Sequence, residues 1–134
     1  MPFVLDASAA ANWFLPDESP LAAPAWMRMS RDDALVPLHW WFEIRSIMLI
    51  AERRGRISER YVSYMSDRIS TLRIVEAQRP NDAAVFALAR HHGLTFYDAV
   101  YLELAQRERL DLATLDKKLA AAARDGGVSL IVAG

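Results

Sequence analysis

Short apolar runs alternate with longer helix-patterned stretches along all 134 residues of this chain, and that alternation leaves few folds open. Phe3-Val4-Leu5, Ala34-Leu35-Val36, Arg73-Ile74-Val75, Leu112-Ala113-Thr114-Leu115 and Leu130-Ile131-Val132 are each brief and largely apolar, as a parallel strand covered on both faces should be. Between them the spacing predicts helices over 8–15, 20–30, 40–54, 58–70, 81–92, 97–108 and 117–124. Their ends carry punctuation: Ser19-Pro20 and Asn81 near starts, Ser58 before Glu59, and Gly55, Gly93 and Gly126-Gly127 past ends. The pattern predicts an α/β fold with a mainly parallel five-stranded sheet flanked by about seven helices. A chain of this length that begins and ends in strands is expected to form a single domain over residues 1–134.

Composition narrows the function classes. With 53% hydrophobic and 25% charged residues, the chain has enough apolar surface for a core and none of the bias of a disordered segment. No apolar stretch approaches the ~18 residues of a membrane span, and Met1-Pro2-Phe3 lacks the charged and apolar regions of a signal peptide, so a cytoplasmic location without a membrane partner is expected. The absence of cysteine excludes disulfides and thiolate metal sites. A net charge of −1 provides no overall basic field, so a nucleic acid would have to be held by local patches and metal ions. Arg53, Arg54, Arg56 and Arg60 form one such patch around Gly55, although most patches of this kind are solvated helix ends.

Four acids sit alone in apolar surroundings. Asp6 follows Phe3-Val4-Leu5, Glu43 follows Trp40-Trp41-Phe42, Asp98 lies within Phe96-Tyr97-Asp98-Ala99-Val100, and Asp116 follows Leu112-Ala113-Thr114-Leu115. A carboxylate placed where hydrocarbon is expected must be protonated, paired with a cation or bound to a metal. Asp6 has no cation within its own segment, because the first basic residue in the chain is Arg28. Asp6 and Asp116 end strands on their carboxyl side, where open parallel sheets bind ligands, while Asp98 and Glu43 fall in the opening turns of helices. Convergence of the four would create strong repulsion that a hard divalent cation relieves, and phosphate chemistry follows from such a site. Ser8, two residues after Asp6, and Thr114, two before Asp116, are placed to hold a metal-bound water.

Simpler readings exist for each acid. Asp6 and Asp116 could be N-caps, Asp98 could complete a capping box opened by Thr95, and Glu43 could be a surface acid near Arg45. Caps leave unexplained the apolar setting shared by all four. Other chemistry is weaker. His91 and His92 adjoin and are expected to point apart on a helix, and His39, four residues before Glu43, reads as a coincidence. No P-loop, G-x-G-x-x-G or G-x-S-x-G is present. Trp13, Trp26, Trp40 and Trp41 read mainly as core.

The strand ending in Asp6-Ala7-Ser8, the isolated Glu43, the run Leu94-Thr95-Phe96-Tyr97-Asp98-Ala99 and the run Ala113-Thr114-Leu115-Asp116 together resemble the four signatures of the PIN domain. Each is short and unspecific, but the ordered set spans the chain, and its length and phrasing resemble VapC-type toxins of bacterial toxin–antitoxin pairs. The resemblance implies a three-layer fold and a metal-dependent endoribonuclease. It assigns Asp6, Glu43, Asp98 and Asp116 as catalytic acids that hold Mg2+ or Mn2+, with Ser8 and Thr114 as auxiliary groups. It also implies an RNA substrate, a homodimer, and a VapB-type antitoxin that inserts a basic residue into the acidic pocket and supplies any contact with DNA. Ser46 stands where the family often has asparagine and is the third auxiliary candidate. A PIN fold that binds RNA or protein without cutting is the rival reading. Two other phosphoryl-transfer folds fail: a haloacid-dehalogenase site needs an acid where Ser8 stands, and a receiver domain needs an Asp after the third strand.

Overall fold

The computed structural model describes residues 1–16 and 19–131. The apolar triplet at the start of the chain becomes β1 (Phe3–Leu5), whose three side chains are fully buried in the middle of the sheet. β2 (Ala34–Val36), β3 (Ile74–Glu76) and β4 (Leu112–Ala113) complete a four-stranded sheet of order β3-β2-β1-β4, with every pair parallel. Register is set by the pairs Phe3 with Ala34, Val4 with Leu112 and Ala34 with Ile74.

The fifth strand expected at Leu130-Ile131-Val132 is, among the described residues, a single parallel bridge between Leu130 and Leu112. Val132 lies outside the described residues. Two backbone bonds of 2.9 Å, from Leu112 N–H to the Ser129 carbonyl and from Ile131 N–H to the Leu112 carbonyl, hold the bridge at the outer side of β4. β4 itself is shorter than the apolar run suggested, because Thr114 turns its hydroxyl into a hydrogen bond with Asp6 and the chain leaves the sheet there.

Among the described residues there are seven helices: α1 (Ala7–Phe14), α2 (Ala23–Arg28), α3 (Trp40–Arg53), α4 (Glu59–Ile69), α5 (Asp82–His92), α6 (Phe96–Glu108) and α7 (Lys117–Asp125). Four have side-chain caps, in which Ser58, Asn81, Thr95 and Asp116 accept from the N–H three residues on. α2 starts later than Ser19-Pro20 suggested. The buried Asn12 amide donates to the Ser19 carbonyl at 2.7 Å and accepts from Ala22 N–H at 3.0 Å, so the residues before Ala23 are fixed as a turn.

The strand order explains the layering. The chain runs outward from β1 through β2 to β3, then crosses back to β4 on the other side of β1. Parallel crossovers are right-handed, so reversing direction moves the connecting helices to the opposite face. The packing follows that rule: α1 contacts α2 and α3, and α3 contacts α4, whereas α5 and α7 pack on α6. The sheet is the middle of three layers. α6 lies directly on β1 and β4, and its residues 99–105 are buried in an unbroken run. That run includes Glu103, whose carboxylate accepts from the Arg107 guanidinium at 2.8 Å. The crevice between the carboxyl ends of β1 and β4 is the point where strand order reverses, the place where such sheets bind ligands.

Candidate acidic metal site

Asp6 stands at that reversal point, immediately after β1, with 4% of its surface exposed. Its backbone occupies the N-cap position of α1, yet its side chain makes no cap bond. The carboxylate accepts instead from Thr114 Oγ1 at 2.6 Å and Ser8 Oγ at 2.7 Å, both at Oδ2. The hydroxyls expected to hold a water thus hold Asp6 itself. They also tie the segment after β4 to the one after β1, because Ser8 Oγ accepts from Leu115 N–H and Thr114 Oγ1 from Asp116 N–H, both at 3.0 Å. Burial pushes the Asp6 carboxyl up from 3.8 to about 6 against the opposing pull of these hydroxyls, and the nearby Glu43 and Asp98 raise it further.

Glu43, in the first turn of α3, is half-buried, and its carboxyl is pushed up by desolvation and by Asp98. Its Oε1 accepts from the Tyr101 hydroxyl at 2.7 Å. The phenol is buried among carboxylates and held firmly protonated, chiefly by desolvation, so it is a permanent donor to Glu43. Asp98, three residues earlier on α6, sits in that helix's first turn with its N–H bonded to Thr95 Oγ1. Burial and Asp116 raise its carboxyl, while His39 and Lys118 pull it down. Asp116 both caps α7, accepting from Leu119 N–H at 2.9 Å, and faces Asp98. Cap and site readings therefore coexist at Asp116.

Electrostatic coupling joins Asp6 to Glu43 and Asp98, and Asp98 to Glu43 and Asp116. The four do not close into a tight cage, since no three of them bring carboxylate oxygens within 4.8 Å of one another. Among the described residues, no lysine or arginine forms an ion pair with any of the four. The partner that approaches is His39, whose Nε2 lies 3.1 Å from Glu43 Oε1, too far off line to hydrogen-bond and without another partner. Burial lowers the His39 pKa and favours the neutral ring. An open group of carboxylate oxygens with no lysine or arginine ion-paired to it among the described residues, beside an orphaned nitrogen, fits a divalent cation that keeps some of its waters.

Ser46 is exposed on α3, one turn after Glu43, with no described hydrogen bond, and it is Tyr101 whose hydroxyl orients Glu43. Tyr101 and His39 are the site residues that sequence reasoning missed or dismissed. Tyr101 is three residues from Asp98 on the same helix face, a spacing that could have exposed it. Beside the group, a groove of about 400 Å3 is lined by Leu21, Thr114, Asp116, Lys117 and Arg124, among others.

This is the architecture of an α/β domain with an acidic pocket at its topological switch point. The family model of the PIN domain matches residues 3–125, and the chain belongs to that family. It is 33% identical over 125 residues to the ribonuclease VapC3 of Pyrobaculum aerophilum, covering 90% of this chain and 93% of that protein. A crystal structure from the same organism shares the fold with a TM-score of 0.69 at 22% identity, over 98% of this chain and 90% of that one. A toxin–antitoxin complex from Klebsiella pneumoniae shares it with a TM-score of 0.58 at 21% identity, over 88% and 90%.

Proposed function

We propose that this protein is a Mg2+- or Mn2+-dependent endoribonuclease, the toxin of a VapBC-type pair, with Asp6, Glu43, Asp98 and Asp116 as its catalytic acids. The observation that carries the reading is a buried Asp6 with its pKa raised to about 6, grouped with three more acids and no basic ion-pair partner at the sheet's reversal point. Family membership and the name of the Pyrobaculum relative support the substrate class. When bound, the cation supplies charge neutralisation and water activation for phosphodiester hydrolysis.

The side chains have separable tasks. Asp6 and Asp98 supply the anionic oxygens nearest the centre of the coupled group. Thr114 and Ser8 keep Asp6 aimed and ionisable, and Tyr101 fixes one oxygen of Glu43 while leaving the other for a ligand. Lys117 and Arg124, exposed along the neighbouring groove, suit the sugar–phosphate backbone of a single-stranded RNA. The same excess of negative charge suits a basic side chain from a VapB-type antitoxin, in keeping with the complex known for the Klebsiella relative. A homodimer, with the antitoxin as the link to DNA, completes the reading, and the cytoplasm is its expected location.

The test is RNA incubation with chelator-treated protein, with and without Mg2+ or Mn2+, alongside Asp98→Asn. Cleavage that requires the cation and disappears in the variant is expected. RNA binding without cleavage in every cation would instead make the protein a binding module.

A further inference from the structure

We propose a second metal site of different chemistry, formed by His91, His92 and Asp125 at the seam between the ends of α5 and α7 and suited to a borderline transition-metal ion such as Zn2+. The two histidines end α5, where Gly93 follows in a left-handed conformation (φ +65°), and Asp125 is the last residue of α7. Adjacent helical residues ordinarily diverge, but here both imidazoles turn toward one carboxylate. His92 Nδ1 is 3.7 Å and His91 Nε2 3.8 Å from Asp125 Oδ2, with ring centroids 4.6 Å apart and planes nearly perpendicular. One ligand atom from each residue lies within 4.8 Å of the other two.

The distances identify what the cluster suits. Contacts of 3.7–3.8 Å are too long for hydrogen bonds, which fall near 2.7–3.2 Å. Two donors on a tetrahedral zinc, each about 2.0–2.1 Å from it, stand roughly 3.4 Å apart, so small side-chain rotations bring this trio onto an ion. His92 is already fixed, with its side chain 9% exposed, while His91 and Asp125 at 73% and 68% leave an open approach and room for water as a fourth ligand. No lysine or arginine forms an ion pair with Asp125 among the described residues. Two imidazole nitrogens and one carboxylate oxygen favour zinc, nickel or copper over magnesium, the reverse of the preference of four carboxylates.

The consequence is a staple. α5 and α7 both pack on α6, and an ion held by the end of each would join them directly. This site is independent of the proposed nuclease activity, and the measurement keeps the two apart. Chelator-treated protein is titrated with Zn2+ and separately with Co2+, whose visible absorption reports nitrogen coordination and four-fold geometry, in the wild type, His91→Ala, Asp125→Asn and Asp6→Asn. A saturable Zn2+ site is expected to persist with excess Mg2+ present and in Asp6→Asn. His91→Ala and Asp125→Asn, both at exposed positions, should weaken it more than tenfold and remove the Co2+ band. Bound Zn2+ should raise the melting temperature of the wild type but not of Asp125→Asn. The proposal is overturned by unchanged Zn2+ affinity in the two seam variants, by loss of all Zn2+ binding in Asp6→Asn, or by no Zn2+ binding in the wild type.

Discussion

Asp6→Asn tests the acidic pocket without relying on catalysis. Burial raises the Asp6 carboxyl from 3.8 to about 6, so between those pH values the folded chain binds its proton more tightly than the unfolded chain does. The stability associated with this proton is fully present below pH 3.8, declines as pH rises toward 6, and is gone above it. At about 1.4 kcal/mol for each tenfold change in proton affinity, the loss in metal-free protein at pH 7.5 is about 3 kcal/mol, and at pH 5 about half of that. Asparagine removes the charge, and because the rise to about 6 already includes the opposing pull of Ser8 and Thr114, the whole of that loss is recovered. Asp6→Asn is therefore expected to be more stable than wild type by about 3 kcal/mol at pH 7.5, and by about half of that at pH 5. Urea unfolding in EDTA at both pH values measures this. Saturating Mg2+ should shrink or reverse the difference, because the cation stabilises only the chain that binds it. A variant no more stable than wild type at pH 7.5, or one with equal gains at both pH values, would refute the electrostatic account of Asp6.

Thr114→Val removes a buried hydroxyl that serves both Asp6 and the Asp116 N–H, so unfolding should become easier by about 2 kcal/mol at neutral pH. Because that hydroxyl lowers the Asp6 pKa, the midpoint for Mn2+ binding should also move to higher pH, as calorimetric titration across pH 5.5–8 would reveal. At subsaturating Mn2+, wild-type cleavage should fall as pH drops through about 6, where Asp6 of the metal-free protein takes up a proton in competition with the cation, and a flat profile down to pH 5 at that Mn2+ concentration would remove Asp6 from the reacting form. Tyr101→Phe should lower kcat while circular dichroism stays native, at a stability cost of about 1 kcal/mol for the lost bond to Glu43. Asn12→Ala should cost about 2 kcal/mol in chemical denaturation by leaving the buried Ala22 N–H unpaired, with no change in cation affinity.

The sheet and its acids were legible for one reason: burial leaves a mark in the chain. β1 is apolar at every position, so the acid that ends it is conspicuous, and the same contrast exposes Glu43, Asp98 and Asp116. Tyr101 escaped notice because a tyrosine inside a buried helical run looks like core, and nothing local shows that its hydroxyl meets a residue 58 positions away. The spacing of Ser8 and Thr114 singles them out but points to water as their partner, since pairing between segments 106 residues apart depends on strand order. The His91 and His92 pair was dismissed on helix geometry, which says nothing of an aspartate at the end of another helix. The α2 start was misplaced because the Ser19-Pro20 signal is overridden by the Asn12 side chain, a contact between elements.

The hydrogen bond from Thr114 to Asp6 also has a meaning in time. It joins two residues made 108 positions apart, and Asp116 follows two residues after Thr114. Chains emerge at roughly 5–20 residues per second, and pairing of such distant segments is intrinsically late in folding. A nascent chain that has reached β3 but not β4 lacks Thr114 and Asp116, so the bond that orients Asp6 forms only once β4 has been made. The acidic pocket is thus assembled late in synthesis, after all four strands of the sheet have been made.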